Sequence, residues 1–277
     1  MHSLFRVTVQ TTESLAPHLQ RLTLHAPEFA DFQLTGPDEF FGLVMPQLGE
    51  NFAPFDTAGT NIRAAVTAIP EPQRPGLRWY TIRGHQPERA TVTMDAVTHG
   101  DNGPGSAWIR RAQPGQEAGF FRCQALWVPP QTHDGTQHGR PGARQLLVAD
   151  ASALPALRHI LECHAAGRPT DLGQADPADL ARTDVIAVVS SEDEVEPGLI
   201  QEWEAQVGGL RVVTAPAEVG RAMDELYAEG PELLGSVWAS GEGGMTKAVR
   251  YHAMQRYDLD SDAIFWCPYW FVGKARP

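Results

Sequence analysis

Lysine is almost absent from this chain of 277 residues, which contains only Lys247 and Lys274. All other basic side chains are arginines, and acidic residues outnumber basic ones, which gives a formal net charge of −12. A chain with this charge is attracted neither to nucleic acid nor to an anionic membrane. Any phosphate that binds must therefore meet a local pocket in which arginine supplies the positive charge.

Cysteine is also scarce. Cys123, Cys163 and Cys267 are odd in number and lie far apart in the sequence. This spacing argues against a disulfide framework and against a CxxC metal site. We expect all three to be small buried residues, and we expect no bound metal.

Long apolar runs are missing too. No segment approaches the roughly 20 consecutive apolar residues that a membrane-spanning helix needs. The first ten residues, MHSLFRVTVQ, lack the basic start and apolar stretch of a signal peptide. We therefore expect a cytoplasmic protein. Its length and its 42% hydrophobic and 20% charged residues are typical of two globular domains.

The first 125 residues predict an antiparallel β-barrel, because short stretches of alternating apolar residues are separated by turn residues. The predicted strands lie near residues 5–9, 19–24, 41–45, 64–69, 77–83 and 90–97. From residue 145 to residue 277, short apolar runs alternate with helical stretches, which is typical of a doubly wound parallel α/β sheet. This second domain contains no GxGxxG motif.

Residues 126–144 are rich in proline, glycine and polar side chains and show no apolar period. Such a composition is typical of an interdomain linker. A long hairpin loop at the edge of the barrel would have the same composition, and both interpretations remain open.

The first segment with a chemical signature is Arg78-Trp-Tyr-Thr-Ile-Arg83, on a predicted barrel strand. Arg78 can clamp a phosphate, Tyr80 offers an aromatic face to a planar ring, and Thr81 offers a hydroxyl. The same residue types are common on any exposed strand, so the segment alone does not decide between a ligand site and an ordinary strand.

A second segment, His99-Gly-Asp-Asn-Gly-Pro-Gly-Ser-Ala-Trp108, precedes a predicted helix that starts near Ser106. Gly100, Gly103 and Gly105 allow backbone amides to approach a ligand, and the start of a helix attracts anions. The alternative is an ordinary Gly-Pro turn in which Ser106 caps the helix.

Two strand ends in the second domain are candidate ligand contacts, because open α/β sheets bind ligands at the carboxyl ends of their strands. Asp150 and Ser152 follow the first strand, and Gly241 and Glu242 precede a Gly-Gly helix start. A plain strand-to-helix turn is the alternative at Glu242.

The segment Ser190-Ser-Glu-Asp-Glu194 follows another strand and carries no basic residue. If the ribose of a dinucleotide lies there, this segment would repel a 2′-phosphate, and NADH would be preferred to NADPH. A solvated loop is the alternative.

The order of the motifs RWYTIR, HGDNGPGSAW, ADASALPAL, VWASGEGG and a terminal PYW resembles the siderophore-interacting proteins, which are ferric-siderophore reductases with a ferredoxin reductase-like fold. The resemblance runs from about residue 40 to residue 273. It implies an FAD-binding barrel over 1–125, an NAD(P)H-binding domain over 145–277, and electron transfer from NAD(P)H through FAD to a ferric siderophore.

The resemblance also implies which residues form the sites. The cofactor-binding residues would be Arg78, Tyr80, Thr81, Arg83, Thr98, His99, Gly100, Gly103, Gly105, Ser106, Ala107, Asp150, Ser152, Gly241 and Glu242. The residues that meet an anionic siderophore would be Arg83, Lys274 and Arg276, with Arg110 and Arg111 as further basic candidates. His99 is either a proton donor or a packing residue.

Three positions depart from the family pattern, which has glycine at 149, glutamate at 151 and glycine at 268, whereas this chain has Ala149, Ala151 and Pro268. Ala151, Pro268 and the long 126–144 segment leave open a flavin- or chelate-binding protein with little reductase activity. A flavin reductase or electron-transfer protein that serves a partner enzyme is a further alternative. We expect a monomer or a weak dimer. Trp270 is expected to pack on the core, while Tyr269 could also shield the flavin.

Overall fold

The computed structural model describes residues 4–57, 61–98, 103–130 and 143–273. The chain divides into two compact units, Met1–Ala125 and Leu126–Arg276. Residues 131–142 lie outside the described residues, so the choice between a linker and a hairpin loop at 126–144 stays a prediction.

The first unit is built on an antiparallel sheet. Its seven strands in the described residues are Leu4–Ala16 (β1), Leu19–His25 (β2), Phe40–Met45 (β3), Gly76–Thr81 (β4), Gly84–Gln86 (β5), Thr91–Val97 (β6) and Glu117–Arg122 (β7). Their order in the sheet is β4-β3-β7-β1-β2-β6-β5. Every paired neighbour is antiparallel.

The sheet curls on itself, and its two outer strands, β4 and β5, follow one another in the chain. After β4 ends, the amide of Arg83 donates to the carbonyl of Thr93 on β6, 2.8 Å away. The interior holds a fully buried apolar cluster that includes Leu22, Phe41 and Phe120. The predicted β-barrel is therefore confirmed.

One predicted barrel strand is wrong. Residues 64–68 belong to a helix, Ile62–Ala68 (α1), rather than to a strand, and Ile69 follows it as the C-cap. The side chain of Asn61 caps this helix by accepting from the amide of Arg63, and alanines, which favour helix, follow. A second helix, Pro104–Arg111 (α2), begins two residues before the predicted start at Ser106.

The second unit is a parallel sheet flanked by helices. Its elements are Arg144–Asp150 (β8), Leu154–Ala165 (α3), Pro169–Thr170 (β9), Gly173–Gln174 (β10), Thr183–Val188 (β11), Leu199–Glu204 (α4), Gly209–Val213 (β12), Val219–Leu226 (α5), Leu234–Glu242 (β13), Gly243–Tyr257 (α6) and Ile264–Trp270 (β14). Short 3-10 helices in this unit are Pro177–Arg182, Glu192–Glu194, Pro216–Glu218, Pro231–Leu233 and Ser261–Ala263. Those of the first unit are Pro27–Ala30, Glu71–Gln73 and Pro87–Arg89.

The strand order of the parallel sheet is β12-β11-β8-β13-β14 among the described residues. Counted along the chain, this is the order 3-2-1-4-5, which reverses direction between β8 and β13. β11 is buried along its whole length, as is typical of a strand covered on both faces. Open α/β sheets bind ligands where the strand order reverses, so the carboxyl ends of β8 and β13 are the candidate ligand site of this unit.

The predicted doubly wound α/β domain is therefore confirmed. In the part of the chain that the structure describes, none of the helices has both the length and the apolar character needed to cross a bilayer.

Candidate functional site

The strand β4 presents Arg78 and Tyr80 on one face, because side chains two residues apart in a strand point the same way. Both are half-buried, and Tyr80 packs against the barrel core. The intervening Trp79 packs on the other side of the sheet with Leu77. Thr81 is almost fully buried at the end of the strand. One edge of the barrel thus carries an arginine and a tyrosine side by side.

The first turn of α2 lies directly on these two side chains. A Cβ atom at Gly105 would lie 2.5 Å from Tyr80 Oη and 3.1 Å from Arg78 Cγ. Pro104 likewise lies close to Gly76, at the start of β4. A side chain at position 105 would therefore force Tyr80 or the first turn of α2 to move. The structure thus brings together the two segments that the sequence singled out.

The start of α2 is open in the described residues. Gly103 is the residue before the helix, with φ of 96°, and no described side chain caps the helix there. This differs from the alternative in which Ser106 caps the turn, because Ser106 and Ala107 lie inside the helix. Uncapped amides beside an arginine form a site that fits a phosphate.

Two predicted contacts in this loop, His99 and Gly100, lie outside the described residues. The preceding Thr98 is almost fully buried, and its amide donates to the carbonyl of His18 at 2.8 Å.

Burial raises the pKa of Tyr80 above its usual value, although Arg78 opposes this shift. Tyr80 therefore stays a neutral phenol at any ordinary pH.

Arg83 lies elsewhere in the barrel. Its side chain is only 11% exposed, and its Nε is 3.8 Å from a carboxylate oxygen of Asp95. Asp95 also accepts two hydrogen bonds of 2.7 Å from Arg21. This environment favours a structural role for Arg83, and its assignment to the cofactor or substrate site stays a prediction. Lys274 and Arg276 lie outside the described residues.

In the second unit, Asp150 ends β8 at the point where the strand order reverses. Its Oδ1 accepts from the amide of Ser152 at 2.9 Å and from the Ser152 hydroxyl at 2.6 Å. Its Oδ2 accepts from the amide of Glu242 at 2.7 Å and from the indole Nε1 of Trp270 at 2.8 Å. Burial raises the pKa of this carboxyl group, and the four donors oppose the shift.

Glu242 caps the helix that follows it. Its Oε2 accepts from the amide of Met245 at 2.8 Å, and its Oε1 is 3.4 Å from the amide of Val272. Burial raises the pKa of Glu242, but the amides of Gly244, Met245 and Val272 outweigh it and hold the pKa below its usual value. The amides at the start of α6 thus donate hydrogen bonds to the carboxylate of Glu242. Contact between Glu242 and a dinucleotide stays a prediction.

The end of β14 differs from the core-packing role expected for Trp270. This residue is 42% exposed, and its N–H is bound to Asp150. Phe271 is 38% exposed and covers Gly243, where a Cβ atom would collide with its ring. Sequence reasoning missed the bond between Trp270 and Asp150, because the partners lie 120 residues apart.

The acidic segment after β11 is partly folded into the protein. Glu194 is buried, and its carboxylate accepts from the amide and the hydroxyl of Ser190 at 3.1 and 2.8 Å. Glu192 and Asp193 are exposed. The negative charge that this turn offers to solvent therefore comes from these two residues.

The described part of the chain contains no cluster of three or more histidine, cysteine, aspartate or glutamate side chains placed to hold a metal ion.

Comparison with known proteins gives the same two-part division. A family model described as the siderophore-interacting FAD-binding domain matches residues 8–125, and the model of the siderophore-interacting protein matches residues 142–273.

Two curated relatives match over most of their length. The NADPH-dependent ferric-chelate reductase of Escherichia coli is 27% identical over 91% of this chain and 87% of its own length. The ferric vibriobactin reductase ViuB of Vibrio cholerae is 27% identical over 87% of this chain and 83% of its own.

Among solved structures, the siderophore-interacting protein SipS of Aeromonas hydrophila matches with a TM-score of 0.70 at 23% identity. The match covers 99% of this chain and 94% of that one. This likeness shows a shared fold. The two family models together cover nearly the whole chain, and we conclude that it belongs to the siderophore-interacting protein family.

Proposed function

We propose that this protein is an FAD-dependent oxidoreductase that transfers electrons from NAD(P)H to the Fe(III) of a ferric siderophore and so releases Fe(II). The observation that carries the proposal is that one chain joins both halves of the family, the FAD-binding domain at 8–125 and the second model at 142–273. Two relatives that match over most of their length are named as ferric-chelate or ferric-siderophore reductases.

The first unit would hold FAD along β4 and the start of α2. Arg78 and the open amides of α2 offer a diphosphate its charge and hydrogen bonds, and Tyr80 offers an aromatic edge to the flavin ring. The residues assigned to this site are Arg78, Tyr80, Thr81, Arg83, Thr98, His99, Gly100, Gly103, Gly105, Ser106 and Ala107.

The second unit would hold the reduced nicotinamide at the carboxyl ends of β8 and β13, where its strand order reverses. The residues assigned to this site are Asp150, Ser152, Gly241 and Glu242. Three of them share one network, since Asp150 accepts from Ser152 and from the amide of Glu242.

Bound FAD supplies the chemistry that links a two-electron hydride donor to one-electron reduction of iron. The chain's own residues would position it: Arg78 and the start of α2 would hold its phosphates, and Tyr80, which stays neutral, would offer its ring to the flavin. One donor molecule then yields two Fe(II) ions, one oxidised nicotinamide and one proton. Fe(II) binds hard anionic oxygen ligands more weakly than Fe(III), so the reduced metal leaves the chelate.

The ferric chelate would meet arginine and lysine side chains, because many siderophore complexes are anionic. Arg110 and Arg111 are exposed at the end of α2, whereas Arg83 is mostly buried. Arg83, Lys274 and Arg276 remain assigned to this contact as part of the proposal.

A cytoplasmic location and a monomer or weak dimer belong to the proposal as well. The three cysteines are free thiols, which agrees with a reducing compartment. The test of oligomeric state is sedimentation of the purified protein.

The experiment that tests the function is an anaerobic titration of the purified protein with FAD. NADH or NADPH is added first, and a ferric siderophore with a chromophoric Fe(II) chelator follows. The proposal predicts that the flavin bands bleach and then return as two Fe(II) ions appear per donor. Bound flavin that neither donor bleaches would favour a flavin- or chelate-binding protein with little reductase activity. Bleaching without iron reduction would favour a flavin reductase that serves a partner enzyme.

A further inference from the structure

The carboxylate of Asp150 is saturated by hydrogen bonds from the protein itself. It is 7% exposed, and each of its oxygens accepts two bonds, from Ser152 on one side and from Glu242 and Trp270 on the other. A carboxylate has about four acceptor positions. All acceptor positions of the carboxylate are therefore used, and none is left for the ribose hydroxyls of a nucleotide. This favours a structural role for Asp150 over a direct contact with the donor.

These bonds join the ends of three strands. Asp150 ends β8, Glu242 ends β13 and Trp270 ends β14. Glu242 and Trp270 are also partners in the register of the parallel pair, just after an irregularity at Gly241.

Gly241 shows how closely the carboxylate is fitted. Its φ is 134°, a conformation that residues with a side chain rarely adopt. A Cβ atom there would lie 2.6 Å from both carboxylate oxygens of Asp150. The irregular backbone at Gly241 and the position of Asp150 therefore depend on each other.

The exposed partner in this network is the indole ring of Trp270. Its N–H is fixed on a buried carboxylate, while 42% of the residue remains exposed. Phe271 and Val272 follow it and are exposed as well. A large aromatic surface that is exposed yet held in one orientation is typical of a binding surface for planar groups.

We propose that Asp150 is a positioning residue for the hydride donor: it does not touch the donor, and it holds the Trp270 ring and the Gly241–Glu242 backbone at the crevice where the donor binds. This inference rests on the proposed function. It reassigns Asp150 from a cofactor contact to a support, and it makes Trp270 the aromatic surface against which a ring of the dinucleotide packs.

The test compares Asp150→Asn, Trp270→Phe and the double variant in the FAD-loaded protein. Asp150→Asn places an amide N–H₂ against groups that donate, and Trp270→Phe keeps a ring but removes the N–H. We expect each single variant to raise the KM for NADH and NADPH about tenfold, as loss of a charged hydrogen bond does. The double variant should be no worse than the more affected single variant, because both changes act on the bond between Trp270 and Asp150.

Two further measurements on the same variants distinguish a loss of donor positioning from a general loss of structure. The affinity for FAD, and the rate at which photochemically reduced protein passes electrons to a ferric chelate, should stay within about twofold of wild type. The matched control is Trp266→Phe on the same strand, since Trp266 is 39% exposed and lies near Arg250 on α6 rather than at Asp150. Its KM for the donor should not change.

An unchanged KM in Trp270→Phe overturns the inference, even if Asp150→Asn fails to fold. Effects that multiply in the double variant also overturn it, as does an equal effect of Trp266→Phe. A wild-type protein that oxidises neither NADH nor NADPH overturns the proposed function together with this role, whereas an active wild type with unaffected variants overturns this role alone.

Discussion

At the scale of single residues, the contact of Gly105 with Tyr80 and Arg78 is the most sensitive point of the proposed FAD site. Replacement of Gly105 by alanine inserts a Cβ atom 2.5 Å from Tyr80 Oη. The tyrosine or the first turn of α2 must then move. We expect FAD affinity to fall about tenfold, the equivalent of a modest overpacking penalty. Quenching of flavin fluorescence on binding measures it.

The matched control for this prediction is Gly220→Ala in α5. A Cβ atom there meets His252 at 3.5 Å, which is ordinary van der Waals contact. FAD affinity should be unchanged in this variant. Equal FAD affinity in Gly105→Ala and wild type would show that α2 and β4 do not form the flavin site together.

Residue types and spacing left each of the two segments open, and the family resemblance predicted Arg78, Tyr80 and the glycines as one site. The structure places Arg78, Tyr80 and Gly105 close together. The role of Asp150 could not be predicted in the same way. Its partners Glu242 and Trp270 are 92 and 120 residues away in the chain, and only the parallel sheet brings them together. A strand-end aspartate looks the same in sequence whether it binds a ligand or supports one.

At the scale of elements, the amino ends of β8 and β11 are joined by an ion pair between the partly exposed Arg144 and the buried Asp184. Arg144 Nε donates to Asp184 Oδ2 at 2.6 Å, and the hydroxyl of Tyr227 donates to the same oxygen at 2.8 Å. Asp184→Ala leaves the buried phenol without this acceptor and Arg144 without its partner. We expect the free energy of unfolding to fall by about 3 kcal/mol, measured by urea denaturation.

This edge of the sheet lies opposite the carboxyl ends where the donor is proposed to bind. The folded Asp184→Ala protein should therefore keep the wild-type KM for its donor. The exposed Glu229→Ala serves as the control, with an expected loss below about 0.5 kcal/mol. A stability loss in Asp184→Ala no larger than that of Glu229→Ala would contradict a stabilising role for the pair.

The turn after β11 is the basis for a prediction of whether NADH or NADPH is the preferred donor. Glu192 and Asp193 are exposed there, and no basic residue occurs in the segment 190–194. We expect a higher kcat/KM with NADH than with NADPH, in contrast to the Escherichia coli relative, which is named as NADPH-dependent. Glu192→Arg should shift the ratio toward NADPH about tenfold, because it replaces repulsion of the 2′-phosphate by attraction.

Steady-state kinetics with both donors measures this ratio. Glu204→Arg, an equal change of charge at the exposed end of α4, should leave it unchanged. A wild-type preference for NADPH, or an equal shift in Glu204→Arg, would contradict the assignment of the ribose to this turn.

Among elements, the parallel strands were predicted best, because a short continuous apolar run such as 185–189, bounded by polar residues, is typical of a buried strand. The stretch 64–69 was predicted as a strand, but residues 64–68 are part of α1. Short apolar segments are ambiguous between strand and helix, and the cap at Asn61 was the sequence signal that would have decided it.

At the scale of the whole molecule, two sequence features predicted two domains: the length, and the change near residue 145 from strand patterns to alternating strand and helix patterns. The family resemblance predicted that the first domain binds FAD and the second binds NAD(P)H. The departures at Ala149, Ala151 and Pro268 act at this scale too, because they concern whether the two halves cooperate in turnover. Ala149 is a fully buried residue of β8, and Ala151 is buried just after that strand, so both sit beside the proposed donor crevice rather than in the barrel. The donor half-reaction is therefore where any loss of activity should appear.

The most direct test of the central claim is to follow the flavin absorbance of the FAD-loaded protein, without oxygen, as NADH and then a ferric siderophore are added. We expect bleaching by the donor, recovery of the oxidised spectrum on addition of the chelate, and two Fe(II) ions trapped per NADH consumed. Failure of the protein to bind FAD, or a reduced flavin that the ferric siderophore does not reoxidise, would contradict the proposed reductase function.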